Sequence, residues 1–175
     1  MKVKQVTLVA VALAIALFAL PRVGVADPPL TATIQFGRPN VGSPFPPPLG
    51  HDQSSHAKDS LVPRTVVISQ GGSVTFEIGP FHRVAIYQAG TMPDDIDTTA
   101  TVNLTVPFFI PNFTIDDPNG RIALSPPAPL TTLSLAPIVW TTPPGTFDVP
   151  GRYLLICTTV PHFVENDMFG WVIVK

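Results

Sequence analysis

One cysteine, Cys157, stands among the 175 residues. It has no partner in its own chain, so an intrachain disulfide is excluded and the thiol is buried and inert, paired with another molecule, or free with a task. Charge is scarce as well: Asp, Glu, Lys and Arg make up 13% of the chain, with 12 acidic residues against 10 basic. That balance lacks the basic excess nucleic-acid binding requires. Beyond residue 27 no stretch keeps a 3.6-residue apolar period, which argues against a helical bundle. There is no Ser/His/Asp set, no paired catalytic carboxylates and no phosphate loop, and only 3 methionines occur.

The N-terminus is organised differently. Lys2 and Lys4 precede an uncharged stretch at 6–20, Pro21 ends it, and Gly24, Val25 and Ala26 are small residues of the kind found at a cleavage site. These are the parts of a secretory signal peptide. The run is about fifteen residues, short of the roughly twenty that span a bilayer. Residues 1–26 are therefore expected to be removed after Ala26, leaving one domain, 27–175, in the periplasm or outside the cell. Without the leader, 7 basic residues face all 12 acidic ones, a net charge of −5. Export to an oxidising compartment makes an unpaired cysteine notable. Asn103 and Asn112 begin Asn-x-Thr sequons, relevant only in a eukaryotic secretory route.

Nearly all 22 prolines lie in the mature chain, where they break helices and central strands. Between them recur short runs rich in Val, Ile, Thr, Phe and Tyr, the pattern of an all-β sandwich or barrel. Strands are expected at 31–36, 64–69, 73–78, 83–88, 152–157 and 170–175, with weaker ones at 101–106 and 121–124. Residues 147–150 lead into Gly151. Gln70-Gly71-Gly72 suits a tight turn. The 126–137 stretch is too proline-rich for a central strand, and 37–60 and 89–140 read as variable, loop-rich regions.

The chemistry concentrates at the C-terminus. A strand ends on Cys157, a short loop passes His162 and Met168, and a last strand leaves from Gly170. A hairpin of this shape can gather a thiolate, an imidazole and a thioether. Those donors suit copper, whose trigonal His₂Cys sites take a weak axial ligand. A second imidazole must come from elsewhere. His82, at the start of the strand at 83–88, is the candidate, and a Greek-key path can bring that strand end beside the hairpin tip. His51 and His56, with Asp52 and Asp59 nearby, lie in a Gly/Pro/Ser-rich segment. They suggest a solvated loop or a second metal site.

The tail Pro150-Gly151-Arg152-Tyr153, Cys157, Pro161-His162-Phe163, Met168, Gly170, Val172 and Val174 resembles the C-terminal signature of the cupredoxins, the superfamily of plastocyanin and azurin. The segment from His82 to Tyr87 resembles that family's upstream ligand strand, and 66–78 fits its paired strands. The likeness covers about 62–88 and 145–175. It implies a Greek-key β-sandwich holding one copper ion through His82, Cys157 and His162, with Met168 axial. Five residues separate His162 from Met168, longer than the family pattern, so Glu165 or a backbone carbonyl stays open as the axial donor.

By the same resemblance the function is one-electron transfer between redox proteins, without catalysis. Partners would dock near His162 on the apolar surface of Pro161 and Phe163, and the chain would act as a monomer. A copper storage or delivery protein, a metal-free structural module and a mononuclear copper enzyme with an open position are the alternatives.

Overall fold

The computed structural model describes residues 27–37 and 59–175; the expected leader, His51 and His56 lie outside the described residues. The strands are β1 (Thr31–Phe36), β2 (Leu61–Val62), β3 (Thr65–Ile68), β4 (Ser73–Ile78), β5 (Val84–Ala89), β6 (Thr101–Leu104), β7 (Ile110–Ile115), β8 (Arg121–Leu124), β9 (Ile138–Thr141), β10 (Gly151–Cys157) and β11 (Phe169–Val174). A single helical turn, α1 (Val160–Val164), interrupts the C-terminal hairpin. The strands form an all-β sandwich, as expected. One sheet has the order β2-β1-β4-β9, the other β3-β11-β10-β5-β8, and β6 with β7 makes a separate hairpin. Strands β1 and β4 run parallel, as do β3 and β11, and the other pairs are antiparallel.

Alternation along the strands sorts their side chains between two clusters. Tyr153, Leu155 and Cys157 of β10 join Val84 and Ile86 of β5 and Ile34, Phe36, Val74 and Phe76 of the other sheet in one core. The intervening Leu154 and Ile156 join Ala85, Tyr87 and Trp171, covered by Ile96, Ile115 and Phe163. Both faces of the second sheet are thus buried, which explains why residues 153–157 are buried without a break. Parity decides the matter for Cys157: it falls on the same face as Tyr153 and Leu155, so its thiol is aimed into the inter-sheet core.

The tight turn between β3 and β4 forms as expected: Gly72 N–H donates to Ser69 O at 3.0 Å, and Gly71 takes φ +75°, which glycine adopts without a side-chain clash. Strands β2, β7 and β9 lie outside the expected set. Pro111 lies within β7, where the two-stranded pairing tolerates a residue without an N–H, and β9 begins directly after Pro137. Residues 147–150 form a turn and bend, not strand. The 89–140 region supplies β8 and β9 to the two sheets, and Ile96 and Ile115 to the outer cluster.

Phe76 is fully buried, edge-on to Phe36 at 6.2 Å and stacked on Trp140 at 5.6 Å. Phe76→Ala should cost about 3–5 kcal/mol of unfolding free energy. Urea unfolding is expected to show a lower midpoint at unchanged slope.

Candidate metal centre

Strand pairing assembles the site. Cys157 pairs with Val84 of β5, and Ile156 with Phe169 of β11. His82 precedes Val84 by two residues, so it arrives beside the cysteine. On the other side the chain leaves β10, turns through α1 with Pro161 in its first turn, and returns to β11. Backbone hydrogen bonds close this loop: Cys157 N–H donates to Met168 O (3.0 Å), Met168 N–H to His162 O (2.9 Å) and His162 N–H to Thr159 O (3.0 Å). The turn carrying His82 is pinned too. Phe81 holds φ +65°, with its N–H donating to Ser134 O and its carbonyl accepting from Thr159 Oγ1, both at 3.0 Å.

Three donor atoms converge. Cys157 Sγ lies 3.7 Å from His82 Nδ1 and 3.6 Å from His162 Nδ1, and the two nitrogens are 3.0 Å apart. The point equidistant from all three lies about 2.0 Å from each, and biological metal–nitrogen and metal–sulfur bonds run roughly 2.0–2.3 Å. These residues form the one cluster of three or more His, Cys, Asp or Glu donors able to hold a metal among the described residues. One soft thiolate and two imidazoles at that spacing fit copper.

The pocket is dry. Cys157 is fully buried and His82 nearly so, while the His162 side chain keeps 17% of its exposure and is the donor nearest solvent. Burial pushes the Cys157 thiol up to about 11, against the backbone N–H groups of Arg83 and Thr159, which favour the thiolate. Burial also holds His162 at about 4 and His82 well below its ordinary range, the neighbouring His162 adding to the latter shift. Both imidazoles are therefore neutral, the form that binds metal.

Two residues that sequence reading did not connect with the site complete it. Asp59 Oδ1 sits 3.7 Å from His82 Nε2 and 3.8 Å from His162 Nε2, behind both rings, and its Oδ2 accepts from Asn166 Nδ2 at 2.7 Å. These distances exceed a hydrogen bond, and the carboxylate acts electrostatically, favouring the proton on Nε2 and leaving Nδ1 free as donor. Gly37 packs against the His82 imidazole so closely that a Cβ would overlap the ring. Asp59 stood out in the sequence only beside His51 and His56, and no spacing tied it to His82. Met168 is buried in the same cluster as Cys157, and Glu165 is exposed. Phe163, expected at the surface with Pro161, is buried and packs its ring edge-on to Phe169 at 6.3 Å, because α1 turns it onto the outer cluster.

No family model matches the chain, and no curated protein matches it. Among solved structures it is similar to dithionite-reduced auracyanin from the photosynthetic bacterium Roseiflexus castenholzii. The identity is 20% and the TM-score 0.48, over 87% of this chain and 99% of that one. It is similar to auracyanin A, a "blue" copper protein of Chloroflexus aurantiacus, at 19% identity and TM-score 0.44, over 84% and 99%. Reduced rusticyanin matches at 17% identity and TM-score 0.43, over 86% and 82%. At such identities and TM-scores the likeness carries no functional weight, and the donor geometry stands on its own.

Asp59→Ala should weaken metal binding about 10- to 100-fold, read by competition with a chelator, with little change in the fold seen by circular dichroism. A second expectation concerns the metal-free protein. Between pH 6.5 and about 4 the unfolded chain protonates His162 while the folded chain does not. Stability must then fall as pH drops through that window, with His82 acting in the same direction. Urea midpoints at pH 7 and pH 5 should show the loss, and His162→Asn should make it smaller.

Proposed function

We propose that the protein is an exported mononuclear type 1 copper protein of the cupredoxin kind, carrying single electrons between redox partners. The observation that carries this reading is the convergence of one cysteine sulfur and two imidazole Nδ1 atoms on a point about 2.0 Å from each, the length of a metal–ligand bond. Copper bound there supplies one reversible electron. His82, Cys157 and His162 would hold it, and Met168, buried in the same cluster as Cys157, would be the weak fourth donor in preference to exposed Glu165.

The chain's own residues set the rest. Backbone hydrogen bonds, Asp59 and Gly37 hold the donors in place. A donor set that cannot relax presents nearly the same surroundings to both oxidation states, which keeps the barrier to electron transfer low. His162 gives the shortest way from the buried site to solvent, so a partner docks around it. Pro161 and exposed Val164 of α1 line that surface, together with exposed Phe108, whose ring lies 6.2 Å from that of Phe81 next to His82. Docking of this kind uses small, short-lived interfaces. With Met168 as a fourth protein donor, no position would be left for a substrate, which fits a carrier rather than an enzyme. Export to the periplasm or beyond rests on the leader sequence at 1–26; among the described residues no helix is long and apolar enough to cross a membrane.

Loading the protein with Cu(II) should give an intense visible absorption band that Cys157→Ser abolishes, with one reversible one-electron wave in voltammetry. Copper bound without that band or wave would favour storage or delivery. A protein that takes up no copper would overturn the proposal.

A further inference from the structure

Arg64 stands directly before β3, and β3 lies parallel to β11 with Thr65 opposite Trp171. That register brings Arg64 alongside the start of β11, where Trp171 N–H donates to Arg64 O at 2.9 Å. The approach is close: a Cβ on Gly170 would overlap Arg64 O. The Arg64 side chain then folds over the residues just ahead of Gly170. Its Nε donates to Phe169 O and its Nη2 to Asp167 O, each at 3.0 Å, and its guanidinium carbon lies 4.4 Å from the centre of the Phe169 ring. Residues 167 and 169 flank Met168. An arginine presents its donors as a rigid planar fork, so one side chain grips the carbonyls on both sides of Met168. The gripped turn is tight. Phe169 N–H also donates to Asp167 O, at 2.8 Å, and Asp167 holds φ +50°, a left-handed conformation uncommon outside glycine. Arg64 forms no ion pair with a carboxylate among the described residues, so its printed polar contacts are these two carbonyls.

We propose that Arg64 is a positioning residue for Met168, its guanidinium fork holding the three-residue turn that presents the thioether to the metal. The proposal rests on the copper reading above, in which Met168 is the weak fourth donor. Met168 is held from inside by the ligand loop: its N–H donates to His162 O at 2.9 Å, and its O accepts from Cys157 N–H at 3.0 Å. Arg64 adds a hold from outside, on the peptides flanking it. A long, weak axial bond is the softest of the four, so the backbone that carries the thioether decides how near the sulfur comes. Withdrawing that donor removes electron donation that stabilises Cu(II) more than Cu(I), so a looser Met168 raises the potential. Removing a nearby positive charge does the reverse, because its repulsion falls harder on Cu(II) than on Cu(I). Fork and charge, the two ways Arg64 can act on the site, therefore shift the potential in opposite directions.

The first measurement uses the metal-free protein. Amide hydrogen exchange followed by NMR should show Cys157 and Met168 N–H exchanging about tenfold faster in Arg64→Met and Arg64→Lys than in wild type, while the amides at 152–154 of β10 keep their rates, the mark of a local opening. Lysine keeps the charge, but its ammonium lacks the planar fork. With copper bound, both variants should shift the Cu(II)/Cu(I) equilibrium roughly threefold towards Cu(I), a rise of about 28 mV at 59 mV per tenfold for one electron. A potential that falls in Arg64→Met and stays at the wild-type value in Arg64→Lys would make Arg64 a charge and not a clamp, and would overturn the proposal. So would Cys157 and Met168 amides that exchange at the wild-type rate, or amides at 152–154 that speed up by the same factor. A wild type without a copper band would remove the copper reading instead, and exchange in the metal-free protein would still decide whether Arg64 holds the turn.

Discussion

Strand β10 lies between β5 and β11, and the metal centre depends on that double pairing. Hydrogen bonding to β5 sets Cys157 opposite Val84, two residues after His82, and hydrogen bonding to β11 sets Ile156 opposite Phe169, next to Met168. A slip of one residue in either register would turn Cys157 to the other face of the sheet. The register is hard to move because both faces of this sheet are buried, each by its own apolar cluster. The fold thus places the thiol by packing, and the short loop through α1 needs only to close the distance to His162.

The same packing sets the electrostatics. A thiol in a dry core resists ionisation and imidazoles there resist protonation, so without a metal ion the donors are a neutral thiol and two neutral bases. Metal binding must displace the cysteine proton, and the ion then supplies the charge that stabilises the thiolate. Behind the two imidazoles stands the Asp59 carboxylate. It is outside the donor set, yet it lies 3.7 Å from His82 Nε2 and 3.8 Å from His162 Nε2.

The hairpin of candidate donors was legible because its evidence is local. Cys157, His162 and Met168 fall within one strand–loop–strand, and the chemistry of their donors is independent of what surrounds them. His82 was reachable because it opens a strongly alternating strand. Strands β7 and β9 were hidden by Pro111 and Pro137, since proline marks loops in a sequence but is accepted in a marginal strand or just ahead of one. Phe163 read as surface because a loop was expected where α1 makes a helical turn and rotates the ring inward.

Composition, proline spacing and the order Cys157–His162–Met168 were enough by themselves to specify an all-β chain with a hairpin of soft donors. These features act through short-range preferences and donor chemistry that need no partner. Only the tertiary structure brought His82 to within 3.7 Å of Cys157 Sγ, put Asp59 behind both rings, pressed Gly37 onto the imidazole and buried Arg83. Those relations join segments as much as 103 residues apart, as Asp59 and His162 are. They arise from how two sheets stack and share a core, a property of the assembled packing that no local stretch of sequence carries.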